Sequence, residues 1–140
     1  MTNSLIDDLF TFLHKSPTAW HAIDFIRNSL MLDGFVELDE SQEWTLEKEK
    51  GYFLTRDGSS LCAFVTPSEP ITKANIIASH TDSPGFKLKP NPEFRRENMT
   101  MLATEIYGSP LLTSWFNRDL GIAGRVFYEY KKRRKMAKGF

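Results

Sequence analysis

Apolar residues at the start of the chain recur at helical spacing. Leu5, Ile6, Leu9, Phe10 and Leu13 form one stripe, which predicts an amphipathic helix. Ser16-Pro17 then restarts the chain, with Ser16 suited to capping and Pro17 to the first helical position. Ala19, Ile23, Ile26 and Leu30 form the stripe of a second helix, expected to stop near Asp33-Gly34. His14 and His21 fall on these segments, but the Ser-Pro break removes any fixed register between them. Both are read as structural or exposed, with no role in metal binding.

The period then changes from helical to two. Phe35-Val36-Glu37-Leu38 reads as a short strand, and Glu40 to Lys50 as a polar connector carrying Trp44. Tyr52 to Arg56 and Leu61 to Val65 are partly alternating apolar runs on either side of Asp57-Gly58-Ser59, a strong hairpin signal. Pro67 and Pro70 close it. Ile76-Ile77-Ala78 is apolar on consecutive positions, as expected of a central strand covered on both faces. Phe86 to Pro90 alternates like an edge strand with its lysines on one side. Met101 to Tyr107 reads as another strand, Leu111 to Asp119 as a loop or short helix, and Ile122 to Tyr130 as a final strand. No internal repeat, phosphate-binding glycine loop or GxSxG elbow is present.

Candidate chemistry gathers after the apolar run at 76–78, in Ser79-His80-Thr81-Asp82-Ser83-Pro84-Gly85. On a strand, His80 and Asp82 would point to the same side. A metal-binding imidazole usually donates its second N–H to a carboxylate, which fixes tautomer and orientation. His-x-Asp at the carboxyl end of a strand also lies where open α/β sheets place their sites. The alternative is a hydrogen-bonded loop-edge histidine beside an aspartate that opens a turn.

Composition narrows the setting. A chain of 140 residues, 41% hydrophobic, can form one globular domain with a core. The single cysteine, Cys62, excludes a disulfide framework and suits a reducing compartment. With no basic leader before Asp7-Asp8 and no run of membrane-spanning length, the expected location is cytoplasmic. The net charge of zero conceals an asymmetry. Lys131-Lys132-Arg133-Arg134-Lys135 and Lys138 give the last ten residues +6 against −6 for the rest. Such a block is read as a solvated, disordered tail over 131–140, following a domain over 1–130. A patch for an acidic partner is the alternative; without interleaved aromatics to stack on bases, nucleic acid is not the expected partner.

Four blocks in order resemble the M18 family of metallo-aminopeptidases, of the aspartyl aminopeptidase type. They are Ser16-Pro17-Thr18-Ala19-Trp20-His21-Ala22, the hairpin Tyr52 to Leu61, Ser79 to Pro84, and Glu105-Ile106-Tyr107-Gly108 followed by Trp115 to Leu120 and Ala123 to Val126. The resemblance implies the N-terminal part of a zinc-aminopeptidase-like α/β sandwich, truncated, with two N-terminal helices followed by a mixed sheet. It implies a two-zinc centre in which His80 binds one ion and Asp82 orients that histidine. The implied reaction removes an N-terminal residue, often acidic, from a peptide substrate, and the implied assembly is a homo-oligomer. Asn117 stands where the family more often has aspartate. No chemical role is carried onto Asn117, Arg118 or Asp119, and an Arg118–Asp119 pair bracing a loop is expected.

Two-metal hydrolysis needs a bridging carboxylate, further ligands and a base. The family takes these from well downstream, whereas here no histidine follows Asp82, and Glu93, Glu97, Glu105, Asp119 and Glu129 match none of those motifs. A catalytic zinc normally takes about three protein ligands, so the chain by itself is expected to be inactive. A frameshift or premature stop accounts for both the missing ligands and the basic tail, with a purposeful tail as the alternative. The competing functional reading is a non-catalytic assembly or binding module.

Overall fold

A computed structural model describes residues 4–128. Helix α1 spans Ser4–Lys15 and α2 spans Ala19–Leu32. Thr18, rather than Ser16, caps α2: its backbone is extended and its hydroxyl accepts from the His21 amide while lying 2.7 Å from His21 Nδ1. The helix therefore starts beyond Pro17, and the Ser16 hydroxyl is buried without a partner. The expected stop holds, since Asp33 is the C-cap and Gly34 follows at φ 84°.

Three strands follow, β1 (Val36–Glu37), β2 (Gly51–Arg56) and β3 (Ser60–Val65). β1 runs parallel to β2 and β3 antiparallel to it, so the sheet is mixed, as expected. The β2–β3 turn holds Asp57 and Gly58 at φ 50° and 62°, with the Ser59 amide donating to the Arg56 carbonyl. Two successive left-handed residues match the twist of the flanking strands, which is why Asp-Gly marks the hairpin.

The core lies where α2 meets this sheet. Ala22, Ile23, Tyr52 and Phe53 are buried, and Phe53 is 0% exposed. Tyr52 and Phe53 are consecutive on a strand and so point to opposite faces; both faces of β2 are therefore covered. The connector before β2 caps Tyr52, whose hydroxyl accepts from the Glu47 amide at 2.8 Å. Two ion pairs tie the periphery together: Arg27 of α2 grips Glu37 of β1, and Arg56 of β2 grips Glu40, each through a guanidinium fork. Helix α1 joins through Phe12, which meets Phe25 edge-on at 5.4 Å. The stripe Leu5, Ile6, Leu9, Phe10 and Leu13 does form one helix, but it stays exposed.

A second, two-stranded sheet is formed by β4 (Gly85–Arg96) and β5 (Met99–Tyr107). The short edge strand expected at 86–90 is thus the first part of a long hairpin. Its ladder breaks between Leu88 and Glu93, because Pro90 and Pro92 have no N–H to donate and Asn91 takes a left-handed φ of 53°. Glu97 and Asn98, at φ 50° and 64°, turn the chain between the strands. A one-turn 3-10 helix covers Leu112–Trp115.

Two expected strands are absent among the described residues. Ile76-Ile77-Ala78 is not a buried central strand: the segment is irregular and exposed, with Ile77 99% exposed. A strand needs a neighbour to take its N–H and C=O groups, and among the described residues none pairs with it. For the same reason residues 122–128 carry no strand, while residues 129–130 and the basic block lie outside the described residues. No described helix is long and apolar enough to cross a membrane.

Candidate metal site

His80 and Asp82 stand on the irregular segment between β3 and β4, which meets the β2–β3 turn on one side and the end of β5 on the other. Thr81 Oγ1 donates to the Ser59 carbonyl at 2.8 Å, anchoring it to the β2–β3 turn. Arg125 donates to the Asp57 carbonyl of the same turn at 2.9 Å and lies over the rings of Trp20 and Phe127. On the other side the β4–β5 register places Tyr107 opposite Gly85, at the end of the hairpin nearest Asp82. Gly108 follows at φ 71°, and a Cβ there would stand 3.4 Å from Pro84; the strand end lies directly against the loop.

The structure does bring His80 and Asp82 together, though not by strand alternation. His80 Nδ1 lies 2.7 Å from the Asp82 backbone carbonyl and 3.4 Å from its carboxylate Oδ1. A carbonyl only accepts, so Nδ1 carries the proton and, in the neutral imidazole, Nε2 keeps its lone pair. The His80 side chain is 78% exposed, so Nε2 is open to a ligand.

Tyr107 completes the arrangement, with its hydroxyl donating to Asp82 Oδ2 at 2.6 Å. That bond, followed by the backbone amide of Asp82 itself and the nearby His80, holds the carboxyl below its ordinary value of 3.8. The same bond raises the phenol of Tyr107, since losing its proton would set a phenolate beside the carboxylate. The Lys87 ammonium sits 4.2 Å from the centre of the Tyr107 ring. Tyr107 falls within one of the family-like blocks of the sequence, but its spacing there points to no role. Twenty-five residues separate it from Asp82, and only the hairpin register joins them.

An imidazole with a fixed Nδ1–H and a free Nε2 is a fitting zinc donor. Among the described residues no three His, Cys, Asp or Glu side chains converge; they fit one ligand of a zinc site and not a whole site. The expected Arg118–Asp119 brace is absent among the described residues. Arg118 instead donates to the Ser114 carbonyl at 3.1 Å, beside Asn117 in a left-handed conformation.

Known proteins match most of the chain. A family model described as aminopeptidase I zinc metalloprotease (M18) matches residues 12–140. A probable M18 family aminopeptidase 2 from Clostridium novyi is 45% identical over 86% of this chain and 28% of its own length. A probable aspartyl aminopeptidase from Ricinus communis is 38% identical over 92% of this chain and 27% of its own. The chain thus spans a little over a quarter of these relatives. Among solved structures, a chain of the Ape4–Nbr1 complex superposes with TM-score 0.75 at 34% identity, over 80% of this chain and 22% of that one. Aminopeptidase I from Borrelia burgdorferi shares the fold, with TM-score 0.67 at 22% identity over 84% of this chain and 30% of its own. Sequence and fold agree, and the chain belongs to the M18 family of zinc metalloprotease aminopeptidases.

Proposed function

We propose that this segment supplies one metal ligand, His80, to an M18 aminopeptidase centre that removes N-terminal residues, often acidic ones, from peptides. The observation that carries the reading is the His80 ring itself: Nδ1 is committed to Asp82, and Nε2 is left open. Asp82 orients the ring through its carbonyl and carboxylate. Zinc, when bound in such a centre, polarises a carbonyl and lowers the pKa of bound water. The chain alone is inactive, because its described residues hold one ligand of a centre that needs about three for each catalytic zinc.

Full function then requires further M18 polypeptide, in the same chain or in a homo-oligomer. The exposed apolar run at Ile76 and Ile77 supports this, since surface of that kind is normally covered. A reducing, cytoplasmic setting fits the single, unpaired Cys62.

A chimera tests the assignment. Residues 12–128 replace the matching segment of the Clostridium novyi relative, whose remaining length supplies the other ligands. The chimera should bind zinc and release N-terminal acidic residues, and the isolated 140-residue chain should not. His80→Ala should lose zinc and activity, and Asp82→Asn should lower activity about 10–100-fold, as for other residues that orient a metal-binding imidazole. Full zinc content and turnover in the His80→Ala chimera would remove His80 from the centre.

A further inference from the structure

We propose that Tyr107 is a positioning residue for His80, acting through Asp82 to keep the imidazole in the Nδ1–H tautomer with Nε2 ready for a metal. The inference rests on the reading of His80 as a ligand, yet its test uses no metal and succeeds or fails separately.

The His80 and Asp82 side chains are 78% and 49% exposed. At that exposure each is free to turn in water unless something pins it. The loop offers no strand ladder to do so. Tyr107 is placed differently: it belongs to β5, pairs across the hairpin with Gly85, and has the Lys87 ammonium over its ring. From that platform its hydroxyl donates to Asp82 Oδ2 at 2.6 Å, which leaves Oδ1 facing His80 Nδ1 at 3.4 Å. The carbonyl of the same residue accepts from Nδ1 at 2.7 Å. Holding the Asp82 side chain therefore keeps a second acceptor, Oδ1, beside the carbonyl on one edge of the imidazole. Both favour a proton on Nδ1, so the opposite nitrogen keeps its lone pair and faces outward. An unheld Asp82 would let the ring relax to the Nε2–H form, in which the outward nitrogen cannot bind a metal.

The test reads the tautomer directly, by nitrogen NMR of His80 in the metal-free 140-residue chain. It is run at about pH 8, above the ordinary imidazole pKa of about 6.5. The chain should show a protonated Nδ1 and an unprotonated Nε2. Tyr107→Phe keeps the ring beneath Lys87 and removes only the oxygen; the Nδ1–H fraction should fall and the Nε2–H fraction rise to match. In an Asp82→Asn background the same substitution should move the tautomer less, because the carboxylate that the phenol holds is gone. An unchanged tautomer in Tyr107→Phe, with cross-strand contacts between β4 and β5 intact, overturns the proposal, as does an equal shift in the Asp82→Asn background. Should Tyr107→Phe disturb the hairpin, ring-fluorinated tyrosine at 107 is the second variant. A stronger phenol donor must then raise the Nδ1–H fraction, and a fraction that stays the same or falls counts against Tyr107.

Discussion

Phe53 shows how much one side chain carries in this segment. It is wholly buried, on the strand that lies between β1 and β3, while most large apolar residues elsewhere are exposed. Truncating it removes aromatic area and leaves a cavity, and Phe→Ala changes in cores cost about 3–5 kcal/mol. That is a large fraction of the stability of a domain. Phe53→Ala should therefore abolish the cooperative part of chemical unfolding followed by tryptophan fluorescence. A urea midpoint close to that of the parent chain would mean that the core lies elsewhere. The pattern identifies Phe53 as part of a strand, but Tyr52, Leu54 and Phe64 are equally apolar neighbours; which is fully enclosed depends on what lies across the sheet. His80 and Asp82 were legible for another reason, since their chemistry is local to three consecutive residues. Tyr107 was not, because its contact depends on a register set far along the chain.

At the scale of elements, charged pairs and turns hold the pieces in place. Glu37 and Glu40 each accept an arginine fork, and these hydrogen bonds are the main reason their carboxyls fall below the ordinary value of 4.5. A depressed carboxyl pKa contributes stability that is complete above the unfolded value and lost as pH falls through the folded one. Both pairs should thus be fully effective near neutrality and weaken below about pH 4.5. Unfolding midpoints at about pH 7 and about pH 3 would show the loss. Glu37→Gln with Glu40→Gln should flatten it, whereas an equally steep acid loss in that double variant would assign it to other groups. The hairpin of β4 and β5 depends on backbone shape. Gly108 sits at φ 71° against Pro84, a conformation that costs a residue with a Cβ about 1–2 kcal/mol. Gly108→Ala should lower hydrogen-exchange protection at the open end of β4–β5 and leave α2 unchanged. Equal protection in both chains would show that the strand end does not need the glycine. The Asp57-Gly58 turn was readable because both residues favour left-handed geometry, whereas Glu97-Asn98 was missed because glutamate gives no such signal.

Over the whole molecule, apolar surface is abundant and little of it is enclosed. The α1 stripe, Ile76, Ile77, Ile122, Val126 and Phe127 are all exposed. The chain spans 28% of its Clostridium novyi relative, and a segment of that share leaves surface that a longer polypeptide can bury. In native buffer the isolated chain should bind a dye such as ANS strongly and self-associate as concentration rises. Weak dye binding and a concentration-independent monomer would show that the apolar segments cover one another in solution.

Local chemistry was determined by the sequence itself: two amphipathic helices, a hairpin around Asp-Gly, a His-x-Asp pair and membership of the M18 family. These need only neighbours within a few residues, where spacing and backbone preference act directly. Tertiary structure decided what depends on distant partners. It left Ile76-Ile77-Ala78 without a strand to pair with, turned the α1 stripe outward, moved the α2 cap to Thr18, and set the Tyr107 phenol on Asp82. The reason is physical: periodicity states which side of an element is apolar, but only the packed chain states what, if anything, lies against it.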